Sequence, residues 1–352
     1  MFKDGARYNG IGPWMKEYFG GRTVKLAIDG GFTCPNRDGT LSSDGCIFCS
    51  SSGSGDFTSD RRLSITEQMR AQVEIMSEKW RSARFIAYFQ NYTNTYAPAA
   101  ALTRRYSEAL SFPGCYGLAI ATRPDCLSNE VVALLSDLNK KTFLWVELGL
   151  QTSNDSTAEI INRCCTTSVY DDAVKRLTSA GIRVVTHVIF GLPGETHSDM
   201  LETVRCVCRY HIFGIKIHLL HIMKGTLLGK EYLSQQGAAL NSLYADLNNA
   251  SGNASDISDA APGAAHTAAQ RALYSLPALP EITPMEKDDY INVVADALEI
   301  IPPDITIHRL TGDAPRDLLI APLWSRDKKS VLNGINMELK KRGTMQGSRV
   351  IY

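Results

Sequence analysis

The chain has 352 residues, of which 44% are hydrophobic, and its 37 basic side chains are matched by 37 acidic ones. An apolar share of that size supports a buried core and excludes a disordered or fibrous chain, and zero net charge gives no overall pull towards nucleic acid or a membrane surface. The N-terminal stretch lacks the apolar centre of a secretory signal, and no later run reaches the roughly 18 apolar residues of a membrane span, which points to the cytosol.

After an N-terminal segment over residues 1–21, six short apolar runs read as buried strands: Val24–Ile28, Phe85–Phe89, Tyr116–Ala121, Leu144–Leu150, Val184–Phe190 and Ile215–Leu220. Each is bounded by Gly, Pro, Asn or Asp, and their unbroken apolar character fits parallel strands covered on both faces. Between them lie amphipathic stretches at Ile65–Trp80, Ala99–Leu110, Asn129–Leu138, Tyr170–Ala180 and Ser198–Tyr210. Strand–helix repeats in this order predict an α/β architecture, either an open sheet or a full or partial barrel. The pattern breaks at Gly237–Thr267, a stretch of Ala, Ser, Asn, Gly and Asp that cannot bury enough apolar surface to offset its ordering entropy, and so reads as a flexible insertion. A helix over Pro284–Ile300, a strand at Ile305–His308 and a last helix at Lys328–Arg342 complete the prediction.

Nine cysteines in a chain of this kind suggest metal or redox chemistry rather than a disulfide framework. Three of them follow the first strand in the spacing Cys34-x11-Cys46-x2-Cys49, within a loop rich in Gly and Pro that can bend tightly. Three thiolates leave one iron of a 4Fe–4S cube without a protein ligand. That open iron is the position that the amino and carboxylate groups of S-adenosylmethionine (SAM) can chelate. A zinc site would need a fourth ligand, and none follows at ribbon or knuckle spacing; a thioredoxin-type Cys-x2-Cys would leave Cys34 idle.

These cysteines, Phe48 beside the last of them, and the stretches Ala121-Thr-Arg-Pro-Asp-Cys126, Val146-Glu-Leu-Gly-Leu-Gln151, His187-Val-Ile-Phe-Gly-Leu-Pro-Gly-Glu195 and Ile307-His-Arg-Leu-Thr-Gly-Asp313 resemble the radical SAM superfamily. More narrowly, the chain is similar to the YhcC/YtqA-type family, whose cluster loop is related to that of the elongator catalytic subunit. The resemblance implies a partial (βα)6 TIM-type barrel over 22–304, carrying the 237–267 insertion, with a short C-terminal α/β extension over 305–352. It also implies a 4Fe–4S cluster on Cys34, Cys46 and Cys49, SAM as cofactor, and an electron donor of flavodoxin or ferredoxin type.

All these stretches end predicted strands, at the edge where ligands bind in such barrels. Gln90, Asn91, Thr93 and Asn94 stand where the superfamily has a Gly-Gly-Glu-like segment, and either contact SAM or form a polar loop. Arg123 and Asp125 either bind a carboxylate of cofactor or substrate, or pair with one another. Glu147 sits inside an apolar run, where an unpaired carboxylate is disfavoured, so it is expected to point into the barrel; Gln151 flanks the same strand. His187 is either a ligand contact or a core histidine, and Gly191 lets the backbone approach adenine or ribose. Arg163 is a further contact, but Cys164-Cys165 follow it where the family has Gly-His, which puts the local backbone in question.

From Ile305 to Tyr352 there are nine Lys or Arg against four Asp or Glu, a local excess of five (9 − 4) in a neutral protein. Such a segment either tracks phosphates or is a solvated helix face. The family resemblance implies modification of the tRNA wobble uridine, with conversion of a carboxymethylaminomethyl group into an aminomethyl group. A radical SAM enzyme acting on a small metabolite, and a non-catalytic metal-binding adaptor, are the alternatives.

Overall fold

The computed structural model describes residues 2, 5–53, 58–76, 83–238 and 277–350. Most of the Gly237–Thr267 stretch and the end of the expected Ile65–Trp80 helix lie outside the described residues. The elements run α1 (Ile11–Tyr18), β1 (Thr23–Ile28), α2 (Ile65–Glu74), β2 (Arg84–Phe89), α3 (Ala99–Leu110), β3 (Cys115–Thr122), α4 (Asn129–Asn139) and β4 (Phe143–Gln151). Then follow α5 (Asp155–Ile160), α6 (Thr167–Ser179), β5 (Arg183–Phe190), α7 (His197–Cys208), β6 (Gly214–Leu219), β7 (Ile222–Met223), α8 (Lys287–Ile300), β8 (Thr306–Arg309), β9 (Leu319–Ala321) and α9 (Lys328–Arg342).

Seven strands form one sheet in the order β1-β2-β3-β4-β5-β6-β8, every neighbouring pair parallel. The sheet curls into a half-barrel, as expected of strands that are apolar on both faces. The strand foreseen at Ile305–His308 is its seventh member and pairs with β6, so this part of the C-terminal segment continues the barrel. A two-residue antiparallel pairing of β7 with β9 lies beside it. Helix starts follow local chemistry. Ser64 and Thr196 form capping boxes with Glu67 and Asp199, and Asp327 caps α9 by accepting from the Ser330 amide at 3.0 Å. At the other end of α9, Gly343 takes φ 69°, the left-handed turn that stops a helix.

Two apolar layers matter for the interior. The larger lies between sheet and helices and includes Leu118, Leu144, Val184, Ile215 and Val294. A second fills the N-terminal end of the barrel with Ile86, Ala119, Phe143, Trp145 and Val185, and Met15, Trp14 and Phe19 of the N-terminal segment pack onto it. Trp14 meets Phe213 edge-on at 4.8 Å between ring centroids and Phe143 at 5.9 Å. No helix is expected within residues 1–21 from the sequence; in the structure α1 is an aromatic plug. The open edge of the sheet is tied down as well, because the Ile307 amide donates to the Asn9 carbonyl at 2.7 Å and the Gln346 amide donates to the Pro302 carbonyl at 2.7 Å. Among the described residues no helix is long and apolar enough to cross a membrane.

Candidate active site

The loop after β1 is pinned from several sides. Asn36 donates to the Asn162 carbonyl at 2.6 Å and to Cys46 Sγ at 3.6 Å, and Asn162 returns a bond to the Gly45 carbonyl at 2.8 Å. The Arg37 guanidinium donates to the Cys49 and Ser50 carbonyls at 3.0 and 2.7 Å, and Ile47 is buried in a small apolar cluster. These ties bring Cys34, Cys46 and Cys49 to the wall of one cavity of about 470 Å³ at the C-terminal end of the strands. Burial, with the neighbouring Cys49 and Cys34 thiols, pushes Cys46 up to about 12, while the Arg123 guanidinium pulls the other way. Cys46 therefore ionises readily only against added positive charge, which is what a metal body supplies. Among the described residues no three His, Cys, Asp or Glu side chains are grouped as ligands of a single metal ion. Thr93 adds a hydroxyl on the same wall that is buried without a hydrogen-bond partner. The donor set thus fits an iron–sulfur cluster with an organic ligand beside it.

Of the expected contacts, Phe48, Gln90, Thr93, Arg123, Glu147, Gln151, Arg163 and His187 line this cavity. Gln151 reaches it because the register slips between Gly149 and Gln151, which takes φ 63°. Arg123 satisfies both readings at once: it grips Asp125 through two bonds of 2.9 and 2.6 Å, and a third bond to the Arg163 carbonyl at 2.9 Å holds it on the wall. Arg163 is 3% exposed and donates to the Thr152 and Cys165 carbonyls, both at 2.6 Å, so it clamps the turn after β4 as well as lining the cavity.

Three of the expected contacts lie outside the lining of this cavity. Asn91 and Asn94 are not on the cavity wall. Asn91 donates to Asp29 Oδ2 at 2.8 Å, and Asn94 donates to the Phe89 and Ala121 carbonyls at 3.1 and 2.8 Å, so both spend their amides stitching strand ends. Gly191, at φ 83°, does not line the cavity, and a Cβ there would meet Met285 at 3.0 Å, so the turn needs glycine for its packing as well as its backbone. Cys164 resolves the doubt raised by the missing glycine. It takes φ 53°, the left-handed conformation that glycine adopts freely, and its thiol lies 3.1 Å from Asn162 Oδ1. Holding Cys164 in that turn costs about 1 kcal/mol of backbone strain.

Below the rim lies a polar layer that the sequence reading only half found. Register sets Arg309 of β8, Lys216 of β6, His187 of β5 and Gly149 of β4 in one row across the sheet. Glu147, 1% exposed, accepts from Trp145 Nε1 at 2.9 Å, from His187 Nε2 at 2.9 Å and from the Lys216 ammonium. Lys216, 2% exposed, also donates to the Tyr88 hydroxyl at 3.1 Å. Burial would raise the Glu147 carboxyl, but Lys216, His187 and Lys25 outweigh it and hold the group well below the usual carboxylate range. Burial and the Lys216 charge push His187 down to about 4, leaving it neutral at pH 7. Lys216 and His218 sit two apart in a strand, hence on one face, and both line the cavity with Arg309. That alternation was the signal that could have revealed them.

The basic C-terminal segment is largely neutralised within the protein. Arg342 and Arg349 reach Asp296 at 2.8 and 3.4 Å, Arg309 and Lys328 both pair with Asp313, and Lys341 pairs with Glu338 at 3.5 Å. Five of the nine cations are thus engaged with carboxylates.

Residues 33–207 match the radical SAM superfamily, and residues 272–341 match the radical SAM C-terminal domain. The chain is 41% identical over 341 residues to the uncharacterised protein YtqA of Bacillus subtilis, covering 97% of this chain and 92% of the relative. The chain belongs to the radical SAM superfamily, in the YhcC/YtqA family. Protein YhcC of Escherichia coli is 31% identical over 341 residues, covering 97% and 94% of the two chains. A shorter similarity, 28% over 141 residues, covers 38% of this chain and 30% of a tRNA uridine(34) acetyltransferase of Dehalococcoides mccartyi. In fold, the structure superposes with TM-score 0.60 on an N-terminally truncated Elp3 of the archaeon Methanocaldococcus infernus, covering 92% of this chain and 64% of the other at 15% identity. Membership makes the chain an enzyme of the radical SAM type, a class that uses SAM and a 4Fe–4S cluster.

Proposed function

We propose that Cys34, Cys46 and Cys49 hold the 4Fe–4S cluster, and that the enzyme removes the carboxymethyl group from a carboxymethylaminomethyl side chain on the wobble uridine of tRNA. When bound, cluster and SAM supply a 5′-deoxyadenosyl radical, after an electron has come from a donor of flavodoxin or ferredoxin type. The protein's own residues bind and orient. Gln90, Thr93, Gln151, Phe48 and the Arg123 guanidinium offer polar and aromatic contacts for SAM beside the thiols. Deeper in the same cavity, Arg309 and Lys216 suit the carboxylate of the substrate group, and the His187 ring beside them suits its amine.

The observation that carries this reading is that the three thiols and the Glu147–Lys216–Arg309 layer line one cavity. The tRNA part is supported by the family resemblance and by the partial similarity to an enzyme named for uridine 34 of tRNA. An anticodon-loop base is single-stranded and can be splayed into a barrel mouth. Because five of the nine C-terminal cations are paired internally, a small metabolite bearing the same carboxylate and amine is the second reading. Two experiments test these points. Anaerobically reconstituted protein with dithionite should release 5′-deoxyadenosine from SAM, and a protein with about four irons that releases none refutes the chemistry. Nucleoside mass spectrometry of tRNA from a deletion strain should show the carboxymethylaminomethyl precursor accumulating. An unchanged profile, with no retention of tRNA by the protein, favours the small metabolite.

A further inference from the structure

The polar layer below the cysteines has more order than a binding surface needs. Glu147 is fixed by three donors, one of them the Trp145 indole N–H, which can only donate. An ionised carboxylate can only accept, so His187 must carry its proton on Nε2. That leaves Nδ1 as a bare lone pair, and among the described residues it has no hydrogen-bond partner, although the ring lines the cavity and its side chain is 18% exposed. A carboxylate that sets a tautomer and orients an imidazole towards a ligand space is the arrangement of a general base and its positioning partner. His218 stands beside it, ring centroids 5.3 Å apart, with a buried Nε2 that has no partner.

We propose that His187 is a catalytic base and acid acting on the amine nitrogen of the substrate, that Glu147 is its positioning residue, and that Lys216 keeps Glu147 ionised. The assignment rests on the proposed substrate class, an amine bearing a CH2–carboxylate group. Once a hydrogen atom has been removed from that CH2, the carbon radical gives one electron to a one-electron acceptor of iron–sulfur or flavin type. The N–H proton passes to His187 Nδ1, and a C=N bond forms. The imidazolium then returns the proton to nitrogen as water adds to carbon; the C–N bond breaks, and the water oxygen ends in an aldehyde acid. The free aminomethyl group stays on the base. Atoms and charge balance with one water consumed. His187 therefore serves the substrate in place of the cofactor contact expected of it.

Several titratable groups face His187. Glu147 comes from β4, Lys216 and His218 from β6, and Arg309 and His308 from β8. Burial first, and then the Lys216 and Arg309 charges, keep the imidazole unprotonated in the working range.

The test uses the reconstituted holoenzyme and a tRNA whose target CH2 carries deuterium, with His187→Gln, which still donates to Glu147, as the variant. We expect the variant to bind iron, cleave SAM and move deuterium into 5′-deoxyadenosine within a few-fold of wild type. Release of the amine should fall by about 100-fold or more. Equal amine release by variant and wild type overturns the base; so does loss of SAM cleavage in the variant, which would place His187 with the cofactor. Absence of deuterium transfer in the wild type instead sinks the substrate reading. In that event 15N-histidine NMR of the same protein still decides the dyad: at pH 7 His187 should show a protonated Nε2 and a bare Nδ1, and a protonated Nδ1 overturns it. Lys216→Met should shift the acid limb of the amine-release profile upward, a change that a purely structural lysine would not produce.

Discussion

Replacing Lys216 by Met leaves the side-chain length and removes the ammonium from a site that is 2% exposed. Glu147 then keeps only the Trp145 and His187 bonds while its own carboxylate stays fully buried. Breaking one side of a buried ion pair costs about 3–5 kcal/mol, because the remaining charge is left without its counter-charge. At about 2 °C per kcal/mol for a chain of this size, Tm should fall by roughly 6–10 °C. The double variant Glu147→Gln, Lys216→Met removes both charges and keeps an acceptor for the indole N–H. It should lie closer to wild type than the Lys216→Met single variant, since replacing both ions by neutral groups avoids the stranded charge. Urea unfolding of wild type, the two single variants and the double variant measures this. A loss under about 1 kcal/mol for Lys216→Met, or a double variant at the sum of the singles, would refute the reasoning.

Acid should weaken the protein early. The folded His187 sits at about 4 against an unfolded 6.5, so the unfolded state binds the extra proton between those values, and stability drops as pH falls through that window. The full effect is about 3 kcal/mol, and urea midpoints of His187→Gln should be correspondingly flatter over pH 6.5 to 4. Glu147 acts lower: its folded value is depressed, so its contribution is complete above about 4.3 and fades only as pH falls through that depressed value. Cys164→Gly should be neutral or stabilising by up to about 1 kcal/mol in thermal unfolding, whereas Cys164→Val should destabilise, because φ 53° penalises a branched side chain. Cys34→Ser, Cys46→Ser and Cys49→Ser should each cut iron and the brown absorption, while Cys165→Ser, although on the same cavity wall, should keep both. Arg123→Lys should lose iron on chelator challenge faster than wild type, since a lysine cannot replace two bonds to Asp125 and one to the Arg163 carbonyl.

The strands were legible because each is an unbroken apolar run, and the cysteine loop because its spacing is unusual. The plug helix was not: it is only eight residues long and has Gly12 and Pro13 in its first turn, and what fixes it is Phe143 and Phe213, far along the chain. Glu147 and His187 could be nominated singly, as polar groups in apolar runs. That they form one layer with Lys216 depends on strand register, which local pattern does not encode. The C-terminal charges were countable, but Asp296 and Glu299, which answer Arg342 and Arg349, lie on α8 outside the counted stretch. Asn91 and Asn94 show the opposite failure: as amides in a polar loop they looked available, whereas their NH2 groups are already donated to Asp29 and to the Phe89 and Ala121 carbonyls.

The aromatic seal at the N-terminal end turns the cavity into a blind well. Trp14, Phe19, Phe143 and Trp145 stop that side, so Lys216 and the three thiols are served by one space at the C-terminal ends of the strands. Whatever rests on Lys216 therefore shares that space with whatever lies beside the cysteines.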